Sequence, residues 1–307
     1  MSAVEPLHGL VLRASAGFYE VETTQGVITA QLRGRLKRNS RARGGAAIGD
    51  RVRLIVSADG SASIEEIMPR QRALSRRDPG RAVEQILVAN PDQAIFVFAC
   101  ADPDPNFRML DRLLVMAEAA SIPAVICANK IDLVEVKSAK AEFGEYQRIG
   151  YPVLYTSGTK DKGVGDLRKL VKDKLSVFAG PSGAGKSTLL NAIQPGLGLA
   201  TQEVSEVGLG AHTTVVRELL PLKDGGYVAD TPGLRAFALW DVEPEELDGY
   251  FREIAPLVQE CAFNDCTHMH EPGCAVIEAV QTGKISPERY DSYVRMRTES
   301  ADKPGGK

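Results

Sequence analysis

Residues 180–188 read GPSGAGKST. Gly180, Gly185, Lys186 and Ser187 fill the fixed positions of G-x-x-x-x-G-K-[ST], with Pro181, Ser182, Gly183 and Ala184 between them and Thr188 after them. The glycines of such a loop let backbone N–H groups curl around phosphates. Lys186 is expected to bridge the β- and γ-phosphates and Ser187 to ligate Mg²⁺. In YVADTPGL, Asp230 stands 43 residues beyond Ser187. An Asp-x-x-Gly at a strand end can hold Mg²⁺ through water and set the Gly233 amide against the γ-phosphate.

A third segment bears on the base. NKID spans residues 129–132. An ionised carboxylate only accepts hydrogen bonds, and Asp132 can take two from the N1–H and 2-amino edge of guanine. Adenine lacks that donor pair, so Asp132 selects for GTP over ATP. Lys130 can lay its alkyl stem along the base, and Asn129 can brace the neighbouring loops. A fourth segment, YTSGTKDKG, places Ser157 and Gly158 at another strand end. The usual motif there is Ser-Ala-Lys, and Gly158 and Thr159 replace its last two residues. A backbone N–H can still reach guanine O6; a plain strand-exit turn is the other reading.

For turnover, many GTPases carry a water-orienting Gln after Asp-x-x-Gly. Leu234 stands there instead and can neither donate nor accept, so intrinsic hydrolysis is expected to be slow. The stretch GAHTT offers a substitute. Thr214, or else Thr213, can complete the Mg²⁺ shell, and His212 can position water once a partner orders the loop; His212 as a merely polar loop residue is the alternative.

Metal chemistry is indicated near the C-terminus. Cys261-x4-Cys266-x-His268-x5-Cys274 supplies three sulfurs and an imidazole, with His270 as a spare. Zn²⁺ favours four such ligands in tetrahedral geometry, and a closed Cys₃His set is structural. The remaining cysteines, Cys100 and Cys127, fall in apolar runs where buried reduced thiols are usual. With no secretory signal in MSAVEPLHGLVLRASAG, a disulfide framework is not expected and a cytoplasmic location is.

Elements must bring these residues together. LHGLVLRAS, GFYEVETTQG, VITAQLRG, DRVRLIV and ASIEEIM read as closely spaced strands of a small OB-type β-barrel. Between two of them lie Arg33, Arg35, Lys37, Arg38, Arg41 and Arg43 without an acidic residue, either a solvated loop or a nucleic-acid surface. PRQRALSRRDPGRA reads as a linker. Apolar strands then alternate with helical segments: QAIFVFACA, FRMLDRLLVMAEAA, PAVICANK, helix over 138–148, YPVLYTS, VGDLRKLVKDK, LSVFAG, GKSTLLNAI, VVRELLPL and GGYVADT. That is the pattern of a doubly wound α/β sheet. EPEELDGYFREIAPLV predicts a helix, and SPERYDSYVRMRTES a last helix capped by Ser286. The expected domains are a barrel over 1–69, a linker over 70–82, a GTPase unit over 83–243 and a helical zinc-binding domain over 244–307. A length of 307 residues with 44% apolar and 25% charged content suits such a multidomain soluble chain, and the net charge of −3 names no partner. No apolar run is long enough to span a membrane.

The motif order is unusual. The conventional cycle runs phosphate loop, Asp-x-x-Gly, Asn-Lys-x-Asp, Ser-Ala-Lys. Here the same cycle is opened just after Asp-x-x-Gly. Ligands of open α/β sheets bind beyond the carboxyl ends of strands, so the site depends on spatial neighbours rather than on chain order. Both flanking domains then hang from one opening beside the γ-phosphate sensor. Their relative orientation is expected to follow nucleotide state.

Permutation, an N-terminal OB-like barrel and a C-terminal Cys/His module together resemble the ribosome small-subunit-dependent (RsgA-type) GTPase family. ANKIDL, GPSGAGKSTLLN, LGAHTT, DTPGLRAFALW and CAFNDCTHMHEPGCAV carry the resemblance, which covers nearly the whole chain. It implies GTP hydrolysis stimulated by the small ribosomal subunit, a role in late subunit maturation, His268 rather than His270 as zinc ligand, and a water-positioning role for His212. Ribosomal RNA on the barrel's basic loop, and a monomeric chain, are the corresponding partner expectations. Two other readings are an RNA-binding module that only senses nucleotide and a phosphate-loop ATPase or small-molecule kinase; NKID argues against the last.

Overall fold

A computed structural model describes residues 6–34, 36, 45–77, 84–197, 217–230 and 242–301. Strands β1 (Leu7–Ser15), β2 (Phe18–Thr23), β3 (Gly26–Leu32), β4 (Arg51–Val56) and β5 (Ala62–Ile67) run in the order β1-β2-β3-β5-β4, and β4 pairs back onto β1. Only the β3–β5 pairing is parallel, the OB-type closure expected. Alternation fills the barrel: Tyr19 and Val21 of β2 point in, with Val11, Val52, Leu54 and Ile64, while Phe18 stays exposed.

Two strands lie between the barrel and the α/β unit. β6 (Ala73–Arg77) and β7 (Glu84–Ala89) form an antiparallel hairpin, so the stretch expected as a linker is partly strand. Its sequence hid this because β6 is short and basic, and its pairing rather than its composition makes it a strand. The hairpin is held against the barrel. The Ala89 N–H donates to Ile48 O at 2.8 Å, and Gly49 packs so closely that a Cβ there would sit 2.1 Å from Ala89 O. Arg70 forks onto buried Asp50, with both N···O distances at 2.7 Å.

The α/β unit contains β8 (Gln93–Ala99), α1 (Phe107–Ala119), β9 (Ala124–Asn129), α2 (Val136–Arg148), β10 (Val153–Tyr155), α3 (Val164–Val171), β11 (Leu175–Ala179), α4 (Lys186–Ile193), β12 (Arg217–Pro221) and β13 (Tyr227–Asp230). Its strand order is β10-β9-β8-β11-β13-β12, parallel except for β12. Strands β8, β9 and β11 are buried throughout, as central parallel strands covered on both faces must be. Period two splits β8 between two cores. Phe96 and Phe98 join Leu110, Leu114 and Phe143, whereas Ile95 and Val97 join Leu167, Leu189 and Leu190.

The β12 edge of this sheet is not free. β12 pairs with β1 at Arg13↔Glu218 and Ala14↔Arg217, so barrel and α/β unit form one continuous eleven-stranded sheet. Covering an edge strand in this way also removes a template for aggregation.

The C-terminal module differs from expectation in one place. Residues 243–258, read as one helix, contain instead two 3-10 segments, Pro244–Tyr250 and Ala255–Glu260. Leu247, Phe251 and Ile254 keep a helix-like burial spacing, but Pro256 lacks the N–H that a continuous helix would use. α5 (Ala275–Gln281) and α6 (Pro287–Ala301) follow. The Ser286 hydroxyl accepts from the Arg289 N–H at 3.2 Å, as a cap does.

Candidate nucleotide site and metal centre

The parallel strands deliver the motifs to one rim. Ala99 of β8 pairs with Asn129 of β9, and Asp230 ends β13 beside Phe178 of β11, two residues before Gly180. Gly180 (φ 147°) passes so close to β8 that a Cβ would lie 2.0 Å from Val97 O. The loop then turns through Gly185 (φ 87°) into α4, whose first turn directs N–H groups and the positive end of the helix at the loop. Lys186 Nζ lies over the loop, donating to Gly180 O at 2.9 Å and Pro181 O at 2.8 Å.

Asn129 ties two motifs together. Its Nδ2 donates to Ala184 O of the phosphate loop at 2.8 Å, and its Oδ1 accepts from Thr156 Oγ1 at 3.1 Å. Asn129 and Thr156 are both buried. A Cβ on Gly185 would fall 2.5 Å from Asn129 Nδ2, so glycine is required for this contact. Thr156 escaped the sequence reading although it immediately precedes Ser157. Its signal was that adjacency to the exit motif, not its residue type.

Lys130 takes the left-handed conformation (φ 61°), and its ammonium donates to Asp102 O. The Ile131 N–H bonds Thr156 O at 3.2 Å, which holds the base-reading turn against the Ser157 loop. Gly158 packs on α4: a Cβ there would lie 3.2 Å from both Thr188 Cγ2 and Leu189 N. The glycine in place of the usual alanine thus has a local steric reason.

Asn129, Lys130, Asp132, Ser157, Gly158, Gly185 and Thr188 line one cavity of about 240 Å³. Asp132 keeps Oδ1 buried without a hydrogen-bond partner. The Ser157 side chain, followed by the charges of Lys160 and Lys162, holds its carboxyl below the usual carboxylate range. The cavity is therefore lined by an ionised carboxylate with one oxygen that takes no hydrogen bond from the protein, which suits a guanine edge. For Mg²⁺, Ser187 stands at the start of α4 and Asp230 at the neighbouring strand end. His212, Thr213, Thr214, Gly233 and Leu234 lie outside the described residues.

At the C-terminal module the expected four ligands converge. The ligand atoms of Cys261, Cys266, His268 and Cys274 all lie within 4.8 Å of one another. His268 Nδ1 is 3.5 Å from Cys261 Sγ and 3.4 Å from Cys274 Sγ, and those sulfurs are 3.9 Å apart. Bond lengths of about 2.3 Å to sulfur and 2.0–2.1 Å to nitrogen separate tetrahedral ligands by roughly 3.5–3.8 Å, so one ion fits. Burial, then the neighbouring thiols of Cys274 and Cys261, push the Cys266 thiol up to about 12, so an ion has to displace its proton. Behind the ring, His268 Nε2 faces Asp248 Oδ2 at 3.2 Å, the carboxylate support that fixes a ligating imidazole. His270 is exposed and outside the cluster. Cys274 also caps α5, its Sγ accepting from the Ile277 N–H at 3.5 Å. Neither Asp248 nor α5 was apparent in the sequence. Cys100 and Cys127 are buried free thiols, as expected.

The RsgA GTPase family model matches residues 67–240, and the RsgA N-terminal domain model matches residues 8–64. A protein of Gemmatimonas aurantiaca named small ribosomal subunit biogenesis GTPase RsgA is 47% identical over 296 residues, covering 95% of this chain and 96% of the relative. Its namesake in Caldanaerobacter subterraneus subsp. tengcongensis is 40% identical, covering 98% of both chains. Among solved structures, YjeQ from Thermotoga maritima superposes with a TM-score of 0.81 at 34% identity, over 98% of this chain and 100% of that one. YloQ, described as a circularly permuted GTPase, superposes with a TM-score of 0.77 at 34% identity, over 99% and 98%. The reversed motif order is therefore a permutation of a conventional site, and this chain, barrel and α/β unit alike, belongs to the RsgA GTPase family.

Proposed function

We propose that this protein hydrolyses GTP while bound to the small ribosomal subunit, which stimulates its turnover, and that it acts in late maturation of that subunit. One observation carries the reading: NKID, the Ser157 loop and the phosphate loop share a single cavity lined by an ionised carboxylate with one oxygen unpartnered. The names of its relatives supply the biological setting, small ribosomal subunit biogenesis.

In this mechanism Asp132 accepts from guanine N1–H and the 2-amino group, Lys130 covers a face of the base, and a backbone N–H of the Ser157–Gly158 loop donates to O6. Lys186 leaves the Gly180 and Pro181 carbonyls for the β- and γ-phosphates, which the amides of residues 182–188 surround. Ser187 and Thr214 would hold Mg²⁺ directly, Asp230 through water, and the Gly233 amide would sense the γ-phosphate. Bound Mg²⁺ supplies charge neutralisation between the phosphates. His212 positions the attacking water, since Leu234 cannot.

Zn²⁺ is the ion assigned to the Cys₃His cluster, where it stands in for a core too small to fold that segment alone. The basic loop of the barrel binds ribosomal RNA through phosphate contacts. The domains are assigned as 1–69, 70–82, 83–243 and 244–307, in a monomeric, cytoplasmic chain; among the described residues no helix is long and apolar enough to cross a membrane. The test is GTP turnover measured with small, large and whole ribosomes added separately. Stimulation by small subunits and its loss in His212→Ala are expected. Equal turnover with and without small subunits would remove the proposal, and equal affinity for ATP would remove the role of Asp132.

A further inference from the structure

A second cavity, about 810 Å³, opens between the α/β unit and the C-terminal module and shares no lining residue with the nucleotide cavity. Its volume lies within the range of about 300–1,000 Å³ typical of ligand sites, which favour domain junctions. The start of α1, one face of α2 and the first turn of α6 form its walls. Half-buried Phe107, backed by the buried Tyr146 ring with centroids 5.9 Å apart, supplies an aromatic surface.

The charge around that surface is one-sided. Both arginines in the lining are already engaged, Arg108 with Asp291 at 3.3 Å and Arg289 with Asp111 at 2.5 Å. Asp104, Glu142 and Glu288 are exposed on the same walls and form no ion pair among the described residues. Glu145 holds Arg148 through Oε2, while its Oε1 is buried with no hydrogen-bond partner.

We propose that this cleft is a docking groove for an extended segment of a partner protein that carries lysine or arginine side chains among apolar ones. Its cations meet Asp104, Glu142 and Glu288, and its alkyl stems lie along Phe107. RNA is the wrong chemistry for this face, because the carboxylates repel phosphate. An occupant would touch α2 of the nucleotide-binding unit and α6 of the metal-binding module at once. This surface is separate from the GTPase reading and stands or falls independently of it.

The experiment uses the full-length, metal-loaded protein and two fluorescent peptides, one alternating arginine with leucine and the other glutamate with leucine, read by anisotropy. The arginine peptide binds and the glutamate peptide does not. Asp104→Asn, Glu142→Gln and Glu288→Gln together weaken binding by at least about tenfold, as the loss of rim charges predicts. Neutralising Glu20 and Glu66 of the barrel changes nothing. Because the three cleft side chains are exposed, the fold is not at risk, and Glu142→Arg with Glu288→Arg gains the glutamate peptide. Hydrogen exchange slows at the starts of α1 and α6 on binding. Unchanged affinity in the triple variant, displacement by spermidine at matched charge concentration, or tighter binding of a single-stranded RNA at this cleft overturns the proposal.

Discussion

A carboxylate that reads guanine has to be ionised and has to offer an acceptor the protein has not used. Asp132 meets both conditions: nearby Ser157, Lys160 and Lys162 keep its carboxyl low, and its buried Oδ1 has no partner. In Asp132→Asn an amide donor replaces one acceptor and faces the donors of guanine. We predict that GTP affinity falls at least about a hundredfold, since a polar site left unpaired discriminates strongly. Xanthosine triphosphate, which has a carbonyl where guanine has its amino group, should gain affinity. Nucleotide competition checks both halves, and an unchanged GTP affinity would contradict the assignment. At the metal centre, Asp248 fixes the His268 ring from behind at 3.2 Å. Asp248→Asn keeps the size and loses the charge. Loss of such a support typically lowers metal affinity about 10–100-fold. Competition with a chelator measures this, and full retention of affinity would show that Asp248 has no such role.

At the scale of elements, the central strands were legible because parallel strands covered on both faces are continuous apolar runs, as in QAIFVFACA and PAVICANK. The strand ends that carry the nucleotide motifs were legible because each pairs an apolar run with residue types the chemistry demands. Strand β6 was not, because its sequence is short and basic and only its pairing with β7 makes it a strand. Nor was the break at 251–254, where helical spacing survives but Pro256 tightens the backbone into 3-10 turns. The interlock between module and α/β unit was also invisible, since its members are far apart in the chain. Arg289 of α6 is buried, forks onto Glu253 at 2.7 and 3.2 Å and reaches Asp111 of α1 at 2.5 Å. Tyr146 of α2 donates to the same Asp111 oxygen at 2.7 Å, and the guanidinium lies 4.6 Å from the Phe251 ring centre. Removing one member of a buried ion network strands the others without a partner. Arg289→Ala should therefore cost about 3–5 kcal/mol in denaturant unfolding of the metal-loaded protein. Arg289→Met combined with Asp111→Leu and Glu253→Gln should recover part of that loss, because no bare charge remains. A cost under about 1 kcal/mol, the range of exposed pairs, would mean that the network does not fasten the module.

Across the whole molecule the two appended modules are attached differently. The C-terminal module is held by side chains on α1 and α2, the helices that flank the base-reading turn. The barrel is held by backbone, through β12 pairing with β1, and by Tyr227 of β13 donating to Glu22 of β2. β12 and β13 are the strands that bracket the permuted end of the site, with Asp230 as the last residue of β13. A ligand that binds only the folded state stabilises it by mass action, about 2.7 kcal/mol at a hundred times its Kd. If the eleven-stranded sheet opens as one unit, that stabilisation has to reach β1, although no barrel residue lines the nucleotide cavity. We predict that saturating GDP slows amide exchange in β1 at Arg13 and Ala14 along with β8 and β11, and leaves the distal strand pair β3 and β5 less affected. The comparison is made by hydrogen exchange on the same sample with and without nucleotide. Slowing confined to β8–β13, with β1 exchanging as in the free protein, would show that the pairing at Glu218 is too weak to carry nucleotide state into the barrel. The expected coupling between nucleotide and barrel orientation would then have to run through some other contact.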